Sequence, residues 1–424
     1  MNILNYLLKE RILRAVKHTK NAKQKKVCFL ELPEIIKTLL LTIKNKSYVP
    51  SAFSCFVVKD PKIREIFAPN YKDRIIHHLI VDRINPLIDK KFIFDCFSNR
   101  KTKGIHVAIK RLQKFMHKDN QYYLMADIKT FFPSIDKNIL FNLLSKHIES
   151  IKEIYSEEKT STLNLSKLII FQDPINPLPN FTGNKKLLSL VPKEKSLFYI
   201  PKNKGLPIGS LTSQFFANIY LNELDQFIKH KLKIKYYVRY VDDFVILGKD
   251  TKTLINYKKK IEVFLEQKLK LSLHPKKIII QHKSKGINFL GYIVKEKYLL
   301  VRKRTVKSFK KRIYFFNHLI DPKKFPIIDP PTNIKLSKLY FKKCLVPPVI
   351  PDLALLQKML SIINSYYGIF NFANSYSLRK NLYEKRFCNL KKYFASSADK
   401  KYQKNYKKIK IRPALLKDGP PKIK

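Results

Sequence analysis

The chain has 424 residues, 45% of them hydrophobic and 12% aromatic, which excludes a disordered polymer and allows two or three compact units with real cores. Against 32 Asp and Glu stand 86 Lys and Arg, a formal charge of +54; that surplus would repel itself without a polyanion, and nucleic acid is the leading partner. Five scattered cysteines, with no Cys-x-x-Cys and no adjoining histidine cluster, exclude a zinc module and point to a reducing compartment, and no apolar run is long enough to cross a membrane. A cytoplasmic protein with no membrane partner is expected.

Residues 1–47 read as helical: Met1 to His18 is amphipathic, and Leu30, Leu32, Ile35, Ile36, Leu39 and Leu40 recur at helical spacing. Phe53 to Val58 and Arg64 to Ala68 read as strands joined by the turn Lys59–Lys62, followed by a helix from Asp73 to Lys90. After an irregular stretch from Phe92 to Gly104, Val107 to His117 is helical again. Tyr122 to Ile128 is a strand with a carboxylate near its end, and a helix starts near Ile135. Residues 151–204 are polar, proline-containing and weakly periodic, and read as an insertion or extended loop. Leu211 to His230 is a long helix and Thr253 to Leu269 an amphipathic one; Lys276 to Gln281 and Ile287 to Val294 are strands. From residue 303 the chain is Lys-rich and helical, interrupted by a proline-rich stretch at 325–351, with its clearest helix at Leu353 to Ile369. From Asp399 onward it is basic with three prolines and reads as a tail that orders on RNA.

Between the helix 211–230 and the helix 253–269 lies Tyr240-Val241-Asp242-Asp243, two adjacent acids inside an aromatic and β-branched run. Such a run reads as two short strands folded back on each other, with the acids at the bend. On its own the pair is equally well an ordinary β-turn. Buried uncompensated carboxylates cost several kcal/mol or neutralise, and a hard divalent cation removes that objection. Asp127, at the end of the strand 122–128, supplies a third carboxylate. Three acids on neighbouring strands can hold two Mg²⁺ roughly 3.5–4 Å apart, one to activate a primer 3′-hydroxyl and one to stabilise leaving pyrophosphate. Six of the nine glycines (Gly104, Gly205, Gly209, Gly248, Gly286 and Gly291) fall at or beside these segments, and Gly205 to Gln214 reads as a tight loop feeding a helix N-terminus.

Asp127 to Asp136, Leu206 to Gln214, Tyr240 to Asp243, Leu271 to Ile278 and Asn288 to Tyr292 resemble, in order, the palm blocks of reverse transcriptases. Arg64 to Ile75 and Ser98 to Gly104 look like the two fingers blocks, so the resemblance covers roughly residues 45–300. It implies an α+β right-hand polymerase with an antiparallel palm sheet and a helical thumb. The implied divisions are an N-terminal helical extension (1–47), fingers (48–120), palm (121–300, with the insertion 151–204), thumb (301–395) and a basic tail (396–424). By position, Asp127, Asp242 and Asp243 are the implied catalytic metal ligands, with Ile128 beside them in the metal set, for two Mg²⁺ that Mn²⁺ could replace. Phe132 matches the aromatic gate against a ribose 2′-hydroxyl. Arg64, Arg100, Ile208, Gly209, Gln214 and Lys277 match nucleotide-binding positions, Lys277 as proton donor to pyrophosphate, and Tyr240, Leu290 and Gly291 match primer–template positions.

The implied partners are a template RNA, the RNA–DNA hybrid, dNTPs and a small basic accessory protein. Ile208 to Gln214, with Lys195 to Phe198 before it and Asn364 to Gly368 later, is similar to reverse transcriptases of diversity-generating retroelements. There, isoleucine in place of glutamine goes with error-prone copying of template adenines; Ser210 departs from the usual Asn. The other readings are an antiphage-defence or group II intron-like reverse transcriptase, or an inactive RNA-binding relic. No zinc-ligand pattern of a DNA-binding or endonuclease module follows the implied thumb.

Overall fold

The computed structural model describes residues 10, 22–59, 62–326, 348–398 and 404–412, and only the backbone of 22–32, 397–398, 404–405 and 407. In chain order the elements are α1 (Ala22–Lys44), β1 (Ser54–Val58), β2 (Arg64–Ala68), α2 (Tyr71–Ile88), α3 (Ile105–Met116), β3 (Tyr122–Asp127), the single turn α4 (Phe131–Ser134), α5 (Lys137–Glu149), α6 (Ser156–Phe171) and β4 (Asn180–Phe181). There follow α7 (Leu211–Gln226), β5 (Tyr237–Tyr240), β6 (Asp243–Gly248), α8 (Thr251–Leu269), β7 (Ile279–His282), β8 (Ile287–Phe289), β9 (Tyr292–Val294) and β10 (Leu299–Val301). The last are α9 (Lys303–Ile320), α10 (Leu353–Phe372), α11 (Tyr376–Arg386), β11 (Phe394–Ala398) and β12 (Lys404–Ile411). The chain forms two compact units, Met1–Arg111 with Asp119–Gln281, and Leu112–Lys118 with His282–Lys424. The expected helix at 1–18 lies outside the described residues except for Glu10, as do most of the proline-rich stretch and residues 413–424.

The first unit is built on a four-stranded sheet in the order β5-β6-β3-β7. Phe244, Val245, Ile246 and Leu247 of β6 are all buried. A strand covered on both faces reads as a continuous apolar run instead of alternating. Its core also takes Ile75, Ile76 and Ile80 of α2, Leu140 and Leu144 of α5, Phe216 and Tyr220 of α7, and Ile261 and Leu265 of α8. A second sheet, β2-β1-β4, covers a small cluster of Phe53, Cys55, Phe67 and Leu197. Here Glu65, 3% exposed, accepts hydrogen bonds from the Ser196 hydroxyl at 2.7 Å and from the Leu197 amide.

Residues 151–204 are not a loop throughout: a helix occupies Ser156–Phe171, and only the part after it is largely irregular. Within them α6 buries Thr162, Leu165, Ser166, Ile169 and Ile170, an i, i+3, i+4, i+7, i+8 face whose polar members hid the helical period. Glu158 pairs with Arg83 of α2. Just past α6 the Gln172 side chain donates to the Ser51 carbonyl at 2.8 Å, and β4 extends the small sheet beside β1. The segment is part of the first unit's framework.

In the second unit α9, α10 and α11 bury Phe309, Ile313, Phe316, Met359, Ile363, Tyr367, Phe370 and Leu382. The expected single strand 287–294 is a hairpin, β8 and β9, whose turn residues Leu290 and Gly291 both have positive φ (48° and 97°), as two-residue hairpin turns of this hand require. The expectation of an all-helical segment to 395 followed by a tail is also corrected: β11 and β12 form an antiparallel pair. Phe394, Tyr406, Ile409 and Ile411 join the core, while Lys408, Lys410 and Arg412 face solvent. Lys408 and Lys410 stand on the outer face of β12, and the apolar residues Ile409 and Ile411 fix it to the unit. Across from β11, the Asn364 side chain of α10 donates to the Ile409 carbonyl at 3.0 Å and accepts from the Ile409 amide at 3.1 Å. Among the described residues no helix is long and apolar enough to cross a membrane.

Candidate active site

β3 and β6 pair antiparallel in a register that sets Asp127 opposite Asp243. β5 and β6 are joined by a two-residue turn, Val241-Asp242, with Tyr240 opposite Asp243. All three acids therefore meet at one end of the sheet. Val241 has φ 57°, a conformation that costs a β-branched residue on the order of 1–2 kcal/mol. The turn is held there by the Arg239 guanidinium, which donates to the Val241 carbonyl at 2.9 Å, and by the Ile128 amide, which donates to the Asp242 carbonyl at 3.3 Å.

Burial, then the charge of Asp127, lifts the Asp242 carboxyl above the usual range. Burial, then the charges of Asp242 and Asp127, does the same to Asp243. Asp127 lies close enough to both to raise them by its charge and forms an ion pair with the Lys277 ammonium. The lysine offsets part of the crowding of negative charge. Among the described residues no three His, Cys, Asp or Glu side chains close around a common point. The donor set still fits hard divalent cations: it is all carboxylate, gathered at one end of the sheet and crowded enough that a positive charge is favoured there. Ile128 is 1% exposed with an apolar side chain in the core, so only its backbone could take part.

The loop from Gly205 to Ser210 lies between the turn α4 and the strand β2. The Gly205 amide donates to the Ile135 carbonyl at 2.8 Å, Leu206 to Phe132 at 3.0 Å, and Phe67 of β2 to Ile208 at 2.8 Å. Gly209 has φ 131°, and a Cβ added there would stand 2.6 Å from the Phe67 carbonyl oxygen. Gly209→Ala is therefore expected to cost about 1–3 kcal/mol in urea unfolding, with the loop displaced from β2; an unchanged midpoint would contradict this. Ser210 caps α7 by accepting from the Ser213 amide at 3.3 Å. Gln214 is exposed on the first turn of α7. Phe132 is half-buried beside Phe131, ring centroids 5.4 Å apart.

Lys277 is brought to the acids, and Tyr240 stands opposite Asp243 in the β5–β6 pair. Arg64 is the exposed first residue of β2, opposite Val58. Arg100, expected at a nucleotide-binding position, has its guanidinium engaged within the protein. Its Nε and Nη2 bind the Asp89 carboxylate at 2.6 and 3.1 Å, Nη2 also binds the Asp89 carbonyl, and Nη1 binds the Ile93 and Cys96 carbonyls. All five guanidinium N–H groups are committed inside the protein. Leu290 and Gly291 are the turn of a hairpin in the second unit. Arg239 and Asp225 beneath the turn were missed; an arginine inside an otherwise apolar strand was the available signal.

A sequence profile described as "Reverse transcriptase (RNA-dependent DNA polymerase)" matches residues 57–294. The group II intron-encoded protein LtrA of Lactococcus lactis subsp. cremoris is 23% identical over 345 residues, 66% of this chain and 53% of that protein. The retron Ec73 reverse transcriptase of Escherichia coli is 26% identical over 198 residues, 43% of this chain and 49% of that protein. The chain spans about half the length of these curated relatives. Among solved structures, apo telomerase from Candida tropicalis, truncated from its C-terminal domain, aligns with TM-score 0.43 and 12% identity over 59% of this chain and 55% of that one. With the profile match covering more than half of its residues, and with acids at the strand ends where the motifs set them, the chain belongs to the reverse transcriptase family and has its α+β right-hand polymerase fold.

Proposed function

We propose that the chain is an RNA-directed DNA polymerase, with Asp127, Asp242 and Asp243 as the catalytic acids. The observation that carries this is the register that sets Asp127 opposite Asp243, one residue from Asp242, at one end of a family-matched sheet. Two Mg²⁺, or Mn²⁺ in their place, would activate the primer 3′-hydroxyl and neutralise the developing pyrophosphate. The three carboxylates would hold these ions, and Lys277, its Nζ beside Asp127, would give a proton to the leaving group. Phe132 blocks a ribose 2′-hydroxyl and so selects dNTPs. Ile208, Gly209 and Gln214 line the templating side, Tyr240, Leu290 and Gly291 support primer and template, and exposed Arg64 can turn to a triphosphate.

In this reading residues 48–120 are fingers, the acid-bearing sheet is the palm, and the second unit's helices with the hairpin 394–411 form the thumb. Template RNA and the RNA–DNA hybrid are the partners of the +54 surface, held through backbone and 2′-hydroxyl contacts. Lys307, Lys310, Lys311, Lys385 and Arg386 stand together, with Ile313, Tyr314 and Phe325 among them, around a cavity of about 310 Å³ on the second unit, and this basic cluster supports a polyanion there. The setting is the cytoplasm of a bacterial cell, with a small basic accessory protein.

The finer reading is error-prone copying of template adenines in a diversity-generating retroelement, supported by apolar Ile208 where a hydrogen-bonding glutamine would check the pair. The likeness to a group II intron protein and a retron enzyme supports a second reading, an accurate intron-like or defence-type enzyme. Primer extension on an RNA template with all four bases, followed by sequencing, separates them. Errors concentrated opposite adenine, reduced about tenfold in Ile208→Gln, would support the first; accurate product would support the second. If neither the protein alone nor the protein with candidate RNA and accessory protein makes DNA, the polymerase reading fails and an RNA-binding relic remains.

A further inference from the structure

Arg239 is the largest fully buried side chain among the described residues, at 0% exposure. It precedes Tyr240 on β5 and lies directly under the Val241-Asp242 turn. Its Nε and Nη2 form a fork on the Asp225 carboxylate, at 2.7 and 2.6 Å. Nη1 is thereby turned to the Val241 carbonyl at 2.9 Å and to Asn218 Oδ1 at 3.4 Å. Asp225, also 0% exposed, is held by the Tyr237 hydroxyl at 2.7 Å.

The same residue binds the segment 95–98. The Arg239 amide donates to the Asp95 carbonyl and its carbonyl accepts from the Phe97 amide, both at 3.0 Å. Nη2 lies 3.1 Å from Cys96 Sγ, and Asn218 donates to the Ser98 carbonyl at 2.8 Å.

A buried ion pair is weak evidence for stability, because a well-packed apolar side chain would fill the position at lower desolvation cost. What a methionine or leucine could not do is hold a carbonyl of the turn in a fixed plane. Lysine could not do it either while also keeping both oxygens of Asp225. Val241 needs such a hold, since its φ of 57° is unfavourable for a β-branched residue. Released, the turn relaxes and carries Asp242 with it.

We propose that Arg239, oriented by Asp225, is a positioning residue that fixes the Val241-Asp242 turn, and so sets Asp242 against Asp127 and ties residues 95–98 to the metal-binding end of the sheet. The inference rests on the polymerase reading above.

The test uses the full-length chain, with Arg239→Lys and the milder Tyr237→Phe, which removes one oxygen from the group holding Asp225. Mn²⁺ binding is measured by calorimetry, kcat and the KM values for dNTP and primer–template by extension, and folding by thermal unfolding. Arg239→Lys is expected to weaken Mn²⁺ binding by about 10–100-fold and to lower kcat on the same scale. Its KM for primer–template should be unchanged, and part of the rate should return at raised Mn²⁺. Tyr237→Phe should shift the same quantities in the same direction by less.

A merely structural role would lower the melting temperature without moving the metal titration of the folded fraction. Folded variants with wild-type Mn²⁺ affinity and kcat would overturn the proposal, as would a rise in primer–template KM alone. If Arg239→Lys does not fold, Tyr237→Phe decides. Wild-type protein that neither binds Mn²⁺ nor extends a primer would sink the polymerase reading itself, an outcome distinct from failure of the variants.

Discussion

Asp243→Asn is expected to reduce DNA synthesis by roughly 10³-fold or more while making the metal-free protein more stable at pH 8. The two effects have one origin. Burial and the neighbouring acids raise the Asp243 carboxyl well above its ordinary value of 3.8, and Asp242 likewise. The folded state therefore favours the protonated form. The relative stability that this gives is complete at low pH and is lost as the pH rises from about 4 through neutrality, because the folded acids must then charge side by side.

Asparagine keeps the shape and removes the penalty. Each tenfold change in proton affinity between the folded and unfolded chain is worth about 1.4 kcal/mol. The stabilising difference should therefore reach a few kcal/mol at pH 8 and be much smaller at pH 5. His77 has the opposite sign: burial lowers its pKa to about 3, so it loses stability as the pH falls below its ordinary value. That contribution is common to both proteins and cancels in the comparison. Added Mg²⁺ should raise the wild-type melting temperature at pH 8 and leave Asp243→Asn nearly unmoved. An asparagine variant no more stable than wild type at pH 8 without metal would contradict this account of the cluster.

Ending the chain at Tyr393 is expected to disrupt the second unit, and Ile409→Ala to do so in part. Phe394, Tyr406, Ile409 and Ile411 belong to the same buried cluster as Leu356, Met359, Ile363 and Tyr367 of α10. Ile409 is 0% exposed, so truncation to alanine should cost about 2–5 kcal/mol. Asn364→Leu should cost about 1–3 kcal/mol for each of the two Ile409 backbone groups it leaves unsatisfied. Hydrogen exchange reads this locally: amides across Leu353–Phe372 should lose protection in the shortened chain, while Tyr122–Asp127 in the first unit keeps its protection. Unchanged protection across Leu353–Phe372 would show that the hairpin is an appendage.

What the sequence disclosed, it disclosed through chemistry that few positions tolerate. Two adjacent acids in an apolar run need a bend and a counter-charge, and a third acid at a strand end supplies the rest of the group; the register of β3 and β6 brings these together. Tertiary structure hid the remainder. Helix α6 was obscured because Thr162 and Ser166 stand on its buried face, where a binary reading expects apolar residues. The last hairpin was obscured because lysines alternate with its anchoring isoleucines, so charge density masked a period of two. Arg100 was assigned by position within a motif, but Asp89 and two carbonyls already take its donors. That is a property of the folded neighbourhood, and spacing carries no trace of it.

The hold that Asn364 has on Ile409 also bears on how copies of this protein meet one another. Among the described residues β12 pairs with β11 on one side only. A two-stranded ribbon of this kind offers its outer row of amides and carbonyls to any extended chain that approaches. At Ile409 that row is already closed, donor and acceptor alike, by a single side-chain amide that imitates a third strand. The exposed lysines at 408 and 410 add like-charge repulsion along the same ribbon. The consequence is colloidal: at Ile409 an approaching strand would find neither a free donor nor a free acceptor, which disfavours edge-to-edge pairing between copies of this cationic chain at that point.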